Sequence, residues 1–282
     1  MTNSSTVQRL TAFSEDPAGG NPAGVWIGDG LPVPAQMQRI AAEVGYSETA
    51  FIAPQSGRDR QIRYFSPLAE VPFCGHATIA SGVALGRSDG LGEYRLQTTV
   101  GEIPVQVTER DDRIIATLTS VDTHHKNVPA AVLADALDAL DWHAEELDTR
   151  IPPALAYAGA WHLVIAAATQ ERLSNLDYDF DALKTLMLAH ELTTLQLVWR
   201  ADLKHFHARN PFPVGGVVED AATGAAAAAL GGYLRDSGLV TAPFDFEIRQ
   251  GEAMGRPSRL LVAMGVKGGV AVTGTATDIP NA

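Results

Sequence analysis

Apolar and polar residues alternate in short runs along most of this chain, and the runs predict more strands than helices. Residues 7–13, VQRLTAF, read as a strand, and a Gly/Pro turn over 16–22 separates it from a second strand, AGVWIG, at 23–28. Met37, Ile40, Ala41 and Val44 fall on one helical face, and Gly45 stops that helix. An apolar strand at 50–53 follows the tripeptide Ser47-Glu48-Thr49. Next come a strand at 61–65, a helix at about 76–88, and strands near 93–98, 102–108 and 113–118.

The polar stretch SVDTHHKNV, 120–128, marks the boundary between two halves, with His124 and His125 read as solvated linker. Beyond it, Leu133, Ala136, Leu137 and Leu140 form a helical stripe, and strands follow near 155–158 and 161–167. Asp179 or Asp181 caps a helix with its stripe at Leu183, Leu186, Met187 and His190. Strands near 194–200 and 204–209 lead to a helix at about 223–236. The chain closes with strands near 244–249, 259–264 and 269–274.

Two stretches share one pattern: RYFSPLAEVPFCGHATIASGVALGRS at 63–88 and RNPFPVGGVVEDAATGAAAAALGGYLRDS at 209–237. Each has Arg, then Pro, a turn, and Gly at the mouth of an Ala/Gly-rich helix. The pairs are Arg63 with Arg209, Pro67 with Pro213, and Gly75 with Gly224. Such repetition predicts two copies of one half. Neither helix has a polar face, so each is expected to be buried on all sides. The expected fold is α/β (α+β), with two similar halves at 1–119 and 120–268. Each half is a curved sheet around a central helix, with a cleft between, and the last strand, 269–282, is a candidate to join the first half.

Composition narrows the function. The 282 residues are 46% hydrophobic and carry a net charge of −12. That supplies a packed core and disfavours nucleic acid or an anionic membrane surface as partner. One cysteine rules out an intrachain disulfide framework. MTNSSTVQRL has no apolar signal region, and no apolar run reaches the length of a membrane span, so a cytoplasmic protein is expected.

The two helix starts carry the candidate chemistry. Unpaired N–H groups and the helix dipole suit a first turn to a carboxylate, or to an anion that develops during reaction, and glycine lets a ligand approach. Against that stands the plain reading that Gly75 and Gly224 serve helix–strand packing. Glu48 precedes an apolar strand, where desolvation suits a carboxylate to proton transfer, or it merely caps a helix end. His76 sits in the first turn of its helix, as a proton relay or bonded to backbone. Asp220 precedes Gly224 and also reads as a plain helix N-cap. Cys74 reads as a small buried hydrophobe or as a reactive thiol. His205 and His207 share a strand face that offers two metal ligands, without an evident third. No Walker loop, dinucleotide fingerprint or nucleophile elbow is present.

Five segments, taken together, resemble the PhzF family of phenazine-biosynthesis-like isomerases and epimerases, distant relatives of diaminopimelate epimerase. They are GGNPAGVW (19–26), MQRIAAEVGYSETAFI (37–52), RYFSPLAEVPFCGHATIASG (63–82), RNPFPVGGVVEDAATGAA (209–226) and RQGEAMGRPSRLLV (249–262). The resemblance implies two half-barrel domains with the active site between them, a homodimer and no cofactor; no metal site is expected. It assigns proton transfer to Glu48, assistance to His76 and a site-lining role to Asp220. Asn21, Ser47, Gly75, Ala77, Thr223, Gly224 and Ala225 go with them as substrate-binding positions. The sequence departs from the family's EDPATGS at Ala221, in place of proline, and at Ala225, in place of serine.

The expected activity is a cofactor-independent isomerase that moves a proton between carbons of a small carboxylate-bearing, amino-acid-like substrate. One rival is a two-base epimerase using Cys74 and Glu48. The second helix mouth offers only Thr223 and Ala225, with no thiol, which weighs against it. The other rival is a non-catalytic binding protein on the same fold.

Overall fold

In the computed structural model of the chain, residues 6–99 and 101–280 are described. The fold is mixed α/β, rich in strands and with few helices. It divides into two compact units: the chain up to Thr119 together with the chain from Thr273 onward, and Ser120–Val272.

The first unit begins with β1 (Gln8–Ala12), β2 (Asn21–Ile27) and α1 (Pro34–Val44). It continues with β3 (Glu48–Pro54), β4 (Asp59–Phe65), the short β5 (Glu70–Val71) and α2 (Gly75–Asp89). Then come β6 (Gly92–Thr98), β7 (Gly101–Arg110) and β8 (Arg113–Thr119). Pro34 opens α1, and Gly45 closes it in the left-handed region (φ 73°), donating its N–H to the Ala41 carbonyl. Met37 and Ala41 on that helix are buried with Phe51 and Phe65.

In the second unit, β9 (His124–Asn127) and α3 (Ala130–Leu140) precede β10 (Ala154–Tyr157) and β11 (Trp161–Ala166). The helices α4 (Gln170–Ser174) and α5 (Phe180–Ala189) lead to β12 (Leu192–Arg200), β13 (His205–Pro211) and the short β14 (Glu219–Asp220). Next are α6 (Gly224–Asp236), β15 (Phe244–Gln250) and β16 (Ser258–Met264). The last strand, β17 (Val270–Asp278), begins here and runs on into the first unit from Thr273.

The senses of pairing repeat. In the first unit β1–β2 is antiparallel, β2–β3 parallel, β3–β4 antiparallel, β4–β6 parallel and β6–β7 antiparallel. In the second, β10–β11, β11–β12, β12–β13, β13–β15 and β15–β16 run through the same series. β17 pairs with both β1 and β8, so the ladder of the first unit returns to its start. Side chains follow: Thr117 and Thr273 hydroxyls lie 2.6 Å apart, and Thr275 Oγ1 donates to the Ile114 carbonyl.

Each repeat contributes one helix with almost no exposed face. Every residue of α2 from His76 to Gly86 is buried, and the helix packs on β1, β2, β3, β7 and β8. A Cβ at Gly82 would lie 2.6 Å from Ala116 Cβ, so glycine sets the distance between helix and strands there. α6 is buried from Ala226 to Leu234 and packs on β9, β10, β11, β12 and β16.

Three expectations change. His124 and His125 are not linker: they lie on β9, which pairs with β10, and their rings meet Tyr157 and Tyr233. His190 is exposed at the end of α5 rather than part of its buried stripe, which is Leu183, Leu186 and Met187. α4 was absent from the periodicity, because five residues are too few to show an apolar face. Of the two aspartates offered as a cap, Asp179 is the one: its side chain accepts from the Ala182 N–H.

Candidate active site

The first unit gathers four of the candidate side chains around the imidazole of a fifth. Glu48 is the first residue of β3, next to Ser47; Asn21 opens β2; Cys74 and His76 flank the start of α2. The parallel pairing of β2 with β3 sets Glu48 opposite Ala23, two residues from Asn21.

His76 is buried and its two ring nitrogens have different neighbours. Nδ1 lies 3.1 Å from Asn21 Nδ2. An amide N–H donating there leaves Nδ1 as acceptor and puts the ring proton on Nε2. Nε2 lies 3.3 Å from Glu48 Oε2 and 3.4 Å from Ser47 Oγ. The imidazole therefore presents its N–H to a carboxylate whose side chain is 17% exposed. Cys74 Sγ completes the group, 3.4 Å from Nδ1 and 3.8 Å from Nε2. One ligand atom from each of Glu48, Cys74 and His76 lies within 4.8 Å of the others.

The start of α2 is braced from below. Thr78 Oγ1 donates to the Cys74 carbonyl at 2.7 Å, and the Tyr64 hydroxyl lies 2.7 Å from Thr78 Oγ1. Burial pushes the Tyr64 phenol well above its ordinary range, so it stays neutral. At the N-cap of α2, the Cys74 side chain makes no capping bond to the helix and lies against the His76 ring instead. That turn contains Gly75, half-buried, and Ala77, fully buried.

The second unit holds the remaining candidates in a turn of its own. Thr223 caps α6 without a side-chain bond to the helix; its hydroxyl donates instead to Asp220 Oδ2 at 2.6 Å. Asp220 is therefore not the N-cap that one reading of the sequence offered: it lies on β14. Gly224 begins the helix and Ala225 follows, half-buried. Gln250, at the end of β15 and buried, was not anticipated. Its Nε2 donates to the Asp220 carbonyl (2.9 Å) and to Thr223 Oγ1 (3.0 Å), and its Oε1 accepts from the Thr223 N–H. Its only sequence signal was its place before Gly251 in RQGEAMGRPS, a segment known by resemblance alone.

Both repeated arginines serve as struts. Arg63 grips Glu70 through Nε and Nη2 at 2.6 and 2.5 Å. Arg209 grips Glu219 in the same two-pronged way, with Nη2 to Oε2 at 2.5 Å. Each pair ties a long strand to the short strand ahead of the buried helix. The bond to Arg63 also holds the Glu70 carboxyl below its usual range.

The ladders show which residue of the second unit stands where Glu48 stands in the first. Arg63 lies opposite Phe51, and Arg209 lies opposite Leu197. Three residues before Phe51 is Glu48; three before Leu197 is Thr194. Their parallel partners are Ala23 and His162. Thr194 is buried, its Oγ1 2.8 Å from His162 Nδ1 and accepting from Asn210 Nδ2 at 3.1 Å. Asn210 also donates to Gln196 Oε1. Burial pushes the His162 imidazole down to about 3, so it is neutral near pH 7. That cluster has no carboxylate.

His205 and His207 do not converge on a metal: His205 bonds Asp202 and His207 bonds Glu252. Among the described residues, the one group of three or more His, Cys, Asp and Glu with converging ligand atoms is Glu48, Cys74 and His76.

Several known proteins are similar to this chain over most of its length. A family model described as phenazine biosynthesis-like protein matches residues 10–281. An uncharacterized isomerase, YfhB, of Bacillus subtilis is 32% identical over 96% of this chain and 95% of its own. The trans-2,3-dihydro-3-hydroxyanthranilate isomerase of Pseudomonas fluorescens is 33% identical over 88% of this chain and 86% of its own. A solved structure of a predicted epimerase from Pseudomonas aeruginosa superposes with a TM-score of 0.85 at 25% identity, covering 99% of this chain and 98% of that one.

Proposed function

Since the chain belongs to the phenazine biosynthesis-like protein family, we propose that this isomerase moves a proton between carbons of a small carboxylate-bearing substrate, with Glu48 as the group that carries it. The observation that supports Glu48 is its contact with His76: a carboxylate oxygen 3.3 Å from Nε2, on a ring whose other nitrogen faces Asn21. In the reaction, Glu48 takes a proton from one carbon and the electron pair of that C–H bond enters the substrate's conjugated system. The same carboxyl then returns the proton to a second carbon. His76 donates to the carboxylate in its charged state and so holds it in one position. The N–H groups at the start of α2 stabilise the negative charge that develops on the substrate. Asp220, Thr223 and Gly224 are proposed to orient the substrate, and Asn21, Ser47, Gly75, Ala77 and Ala225 to border it. The chemistry uses side chains and backbone alone, with no cofactor.

One geometric fact favours this over a two-base epimerase. Two bases on opposite faces of a carbon, each at about 3–3.5 Å, stand roughly 6–7 Å apart. Ligand atoms of Cys74 and Glu48 lie within 4.8 Å of each other, which leaves no room for a carbon between them. The alanines at 221 and 225 speak to substrate choice. A turn lacking the family's proline and a helix mouth lacking its hydroxyl suit a ligand that differs from the one named for the Pseudomonas relatives.

Deuterium incorporation at carbon tests the reading. The protein is incubated in D2O with trans-2,3-dihydro-3-hydroxyanthranilate and a panel of small amino and hydroxy acids. Exchange that is present in the parent protein, lost in Glu48→Gln and retained in Cys74→Ala is the expected result. Exchange lost in Cys74→Ala assigns the reaction to the thiol. Ligands that bind without any exchange would leave a binding protein and remove the isomerase.

A further inference from the structure

We propose that the Glu48–Cys74–His76 group is also a regulatory metal site, which captures a thiol-seeking divalent cation, zinc above all, and is silenced by it. The silencing rests on Glu48 being the proton carrier; the binding does not. Zinc takes carboxylate oxygen and imidazole nitrogen at about 2.0–2.2 Å and thiolate sulfur at about 2.3 Å, in a tetrahedron. Those lengths set edges of roughly 3.3 Å between oxygen and nitrogen and roughly 3.6 Å between nitrogen and sulfur. Here Glu48 Oε2 and His76 Nε2 are 3.3 Å apart, and His76 Nε2 and Cys74 Sγ are 3.8 Å apart. Two edges of one coordination face are thus close to length, and the third, between Glu48 and Cys74, lies within 4.8 Å and closes to roughly 3.6 Å on binding.

The supports of that face are rigid. Glu48 is fixed by the β2–β3 ladder, and Cys74 and His76 by the first turn of a helix buried along its length. A site whose ligands need not be gathered binds without the ordering cost that loop ligands carry. Behind the imidazole, Asn21 supplies the outer partner that metal-bound histidines commonly have. Its amide carries both a donor and an acceptor, so it meets Nδ1 with or without a proton there. The thiol decides which cation: sulfur selects zinc or similar borderline metals over magnesium and calcium, which prefer oxygen. Three protein ligands leave the fourth position for water or for a carboxylate of the substrate. On binding, the thiol proton leaves to solvent, the ring proton of His76 exchanges through solvent from Nε2 to Nδ1, where the Asn21 amide oxygen turns to accept it, and the lone pair with which Glu48 takes a proton from carbon is bonded to the metal. The loaded protein cannot turn over.

The test separates binding from catalysis. Metal-free protein is titrated with Co2+, whose bond to a thiolate gives a charge-transfer absorption that needs no substrate. The expected result is one equivalent per chain, displaced by Zn2+, with the band absent in Cys74→Ser and in Cys74→Ala. His76→Gln is expected to weaken binding at least tenfold. In the deuterium-exchange assay one equivalent of Zn2+ stops the reaction and a chelator restores it. Circular dichroism identifies any variant that has lost its fold. No saturable band in the folded parent protein overturns the proposal, whatever the exchange assay gives. A band that persists without Cys74 overturns it too, since it places the metal elsewhere. Stoichiometric zinc with undiminished exchange overturns the silencing. Loss of exchange in Glu48→Gln with no cobalt band keeps the proposed function and removes the metal site alone.

Discussion

At His76 the two ring nitrogens have different jobs, and Asn21 decides which is which. Asn21→Ala releases Nδ1, so the ring can turn and its proton can leave Nε2. A misplacement of that kind is expected to lower the exchange rate by about tenfold to a hundredfold, with thermal unfolding shifted by only a few degrees. An unchanged rate would show that His76 is held by something else. His162 makes the opposite case, a histidine buried beside a threonine hydroxyl with no carboxylate in its cluster. Unfolded, it titrates near 6.5; folded, near 3. Below pH 6.5 the unfolded chain binds a proton that the folded chain refuses, so this residue lowers stability as pH falls towards 3 and contributes nothing above 6.5. The slope is at most about 1.4 kcal/mol per pH unit. Between pH 7 and pH 5, urea unfolding should therefore show the parent losing about 2 kcal/mol more than His162→Gln. Equal losses would mean that the ring is not held neutral. Glu48 and His76, which the fold brings into contact, could be singled out as candidates because SET and CGHA are short local motifs. The bond from Asn21 to His76 was not, since it joins residues 55 apart and no periodicity reports it.

The turn that precedes α6 shows what an element needs beyond its own residues. Ala221 stands where proline would have stiffened the chain, and Gln250 makes up for it with three hydrogen bonds to Asp220 and Thr223. Next to it, Gly251 has φ 75°, and a Cβ there would lie 2.4 Å from the Arg256 carbonyl oxygen and 2.7 Å from that of Ala221. Gln250→Ala should destabilise the protein by about 1–3 kcal/mol, the cost of buried polar groups left unpaired. Gly251→Ala should cost more, because two backbone oxygens must move and the backbone is left-handed there. Denaturant midpoints rank the two, and the reverse order would show that the corner relaxes easily. Local pattern gave the helix, its glycine and the turn ahead of it. It did not give the clamp, because β15 reaches the turn from beyond α6, and only the folded chain brings them together. His124 and His125 were missed for a related reason: a short polar strand looks like linker until its partner β10 is known.

Across the whole molecule, one sequence of strand senses is used twice, with Glu48 at a position in one ladder where Thr194 stands in the other. Arg63 and Arg209, with their glutamates, kept the same structural task, and this is why the repeat was readable from arginine, proline and glycine alone. The closure of the first unit was not readable. β1 and β17 stand near opposite ends of the described chain, and alternation within a strand says nothing about which strand lies beside it. Cutting the chain after Val272 should therefore disrupt the first unit, Glu48 site included, although the cut lies far from Glu48 in sequence. Hydrogen exchange should show lost protection in β1 and β8, and a truncated protein with those amides still protected would mean that β17 is dispensable. The return of β17 also puts a clock into synthesis. At about 5–20 residues per second, the ribosome needs roughly eight to thirty seconds to travel from Thr119 to Thr273. For that interval the first unit is an open ribbon with two bare edges, and a newborn chain of this protein depends on whatever shields those edges until its last strand arrives.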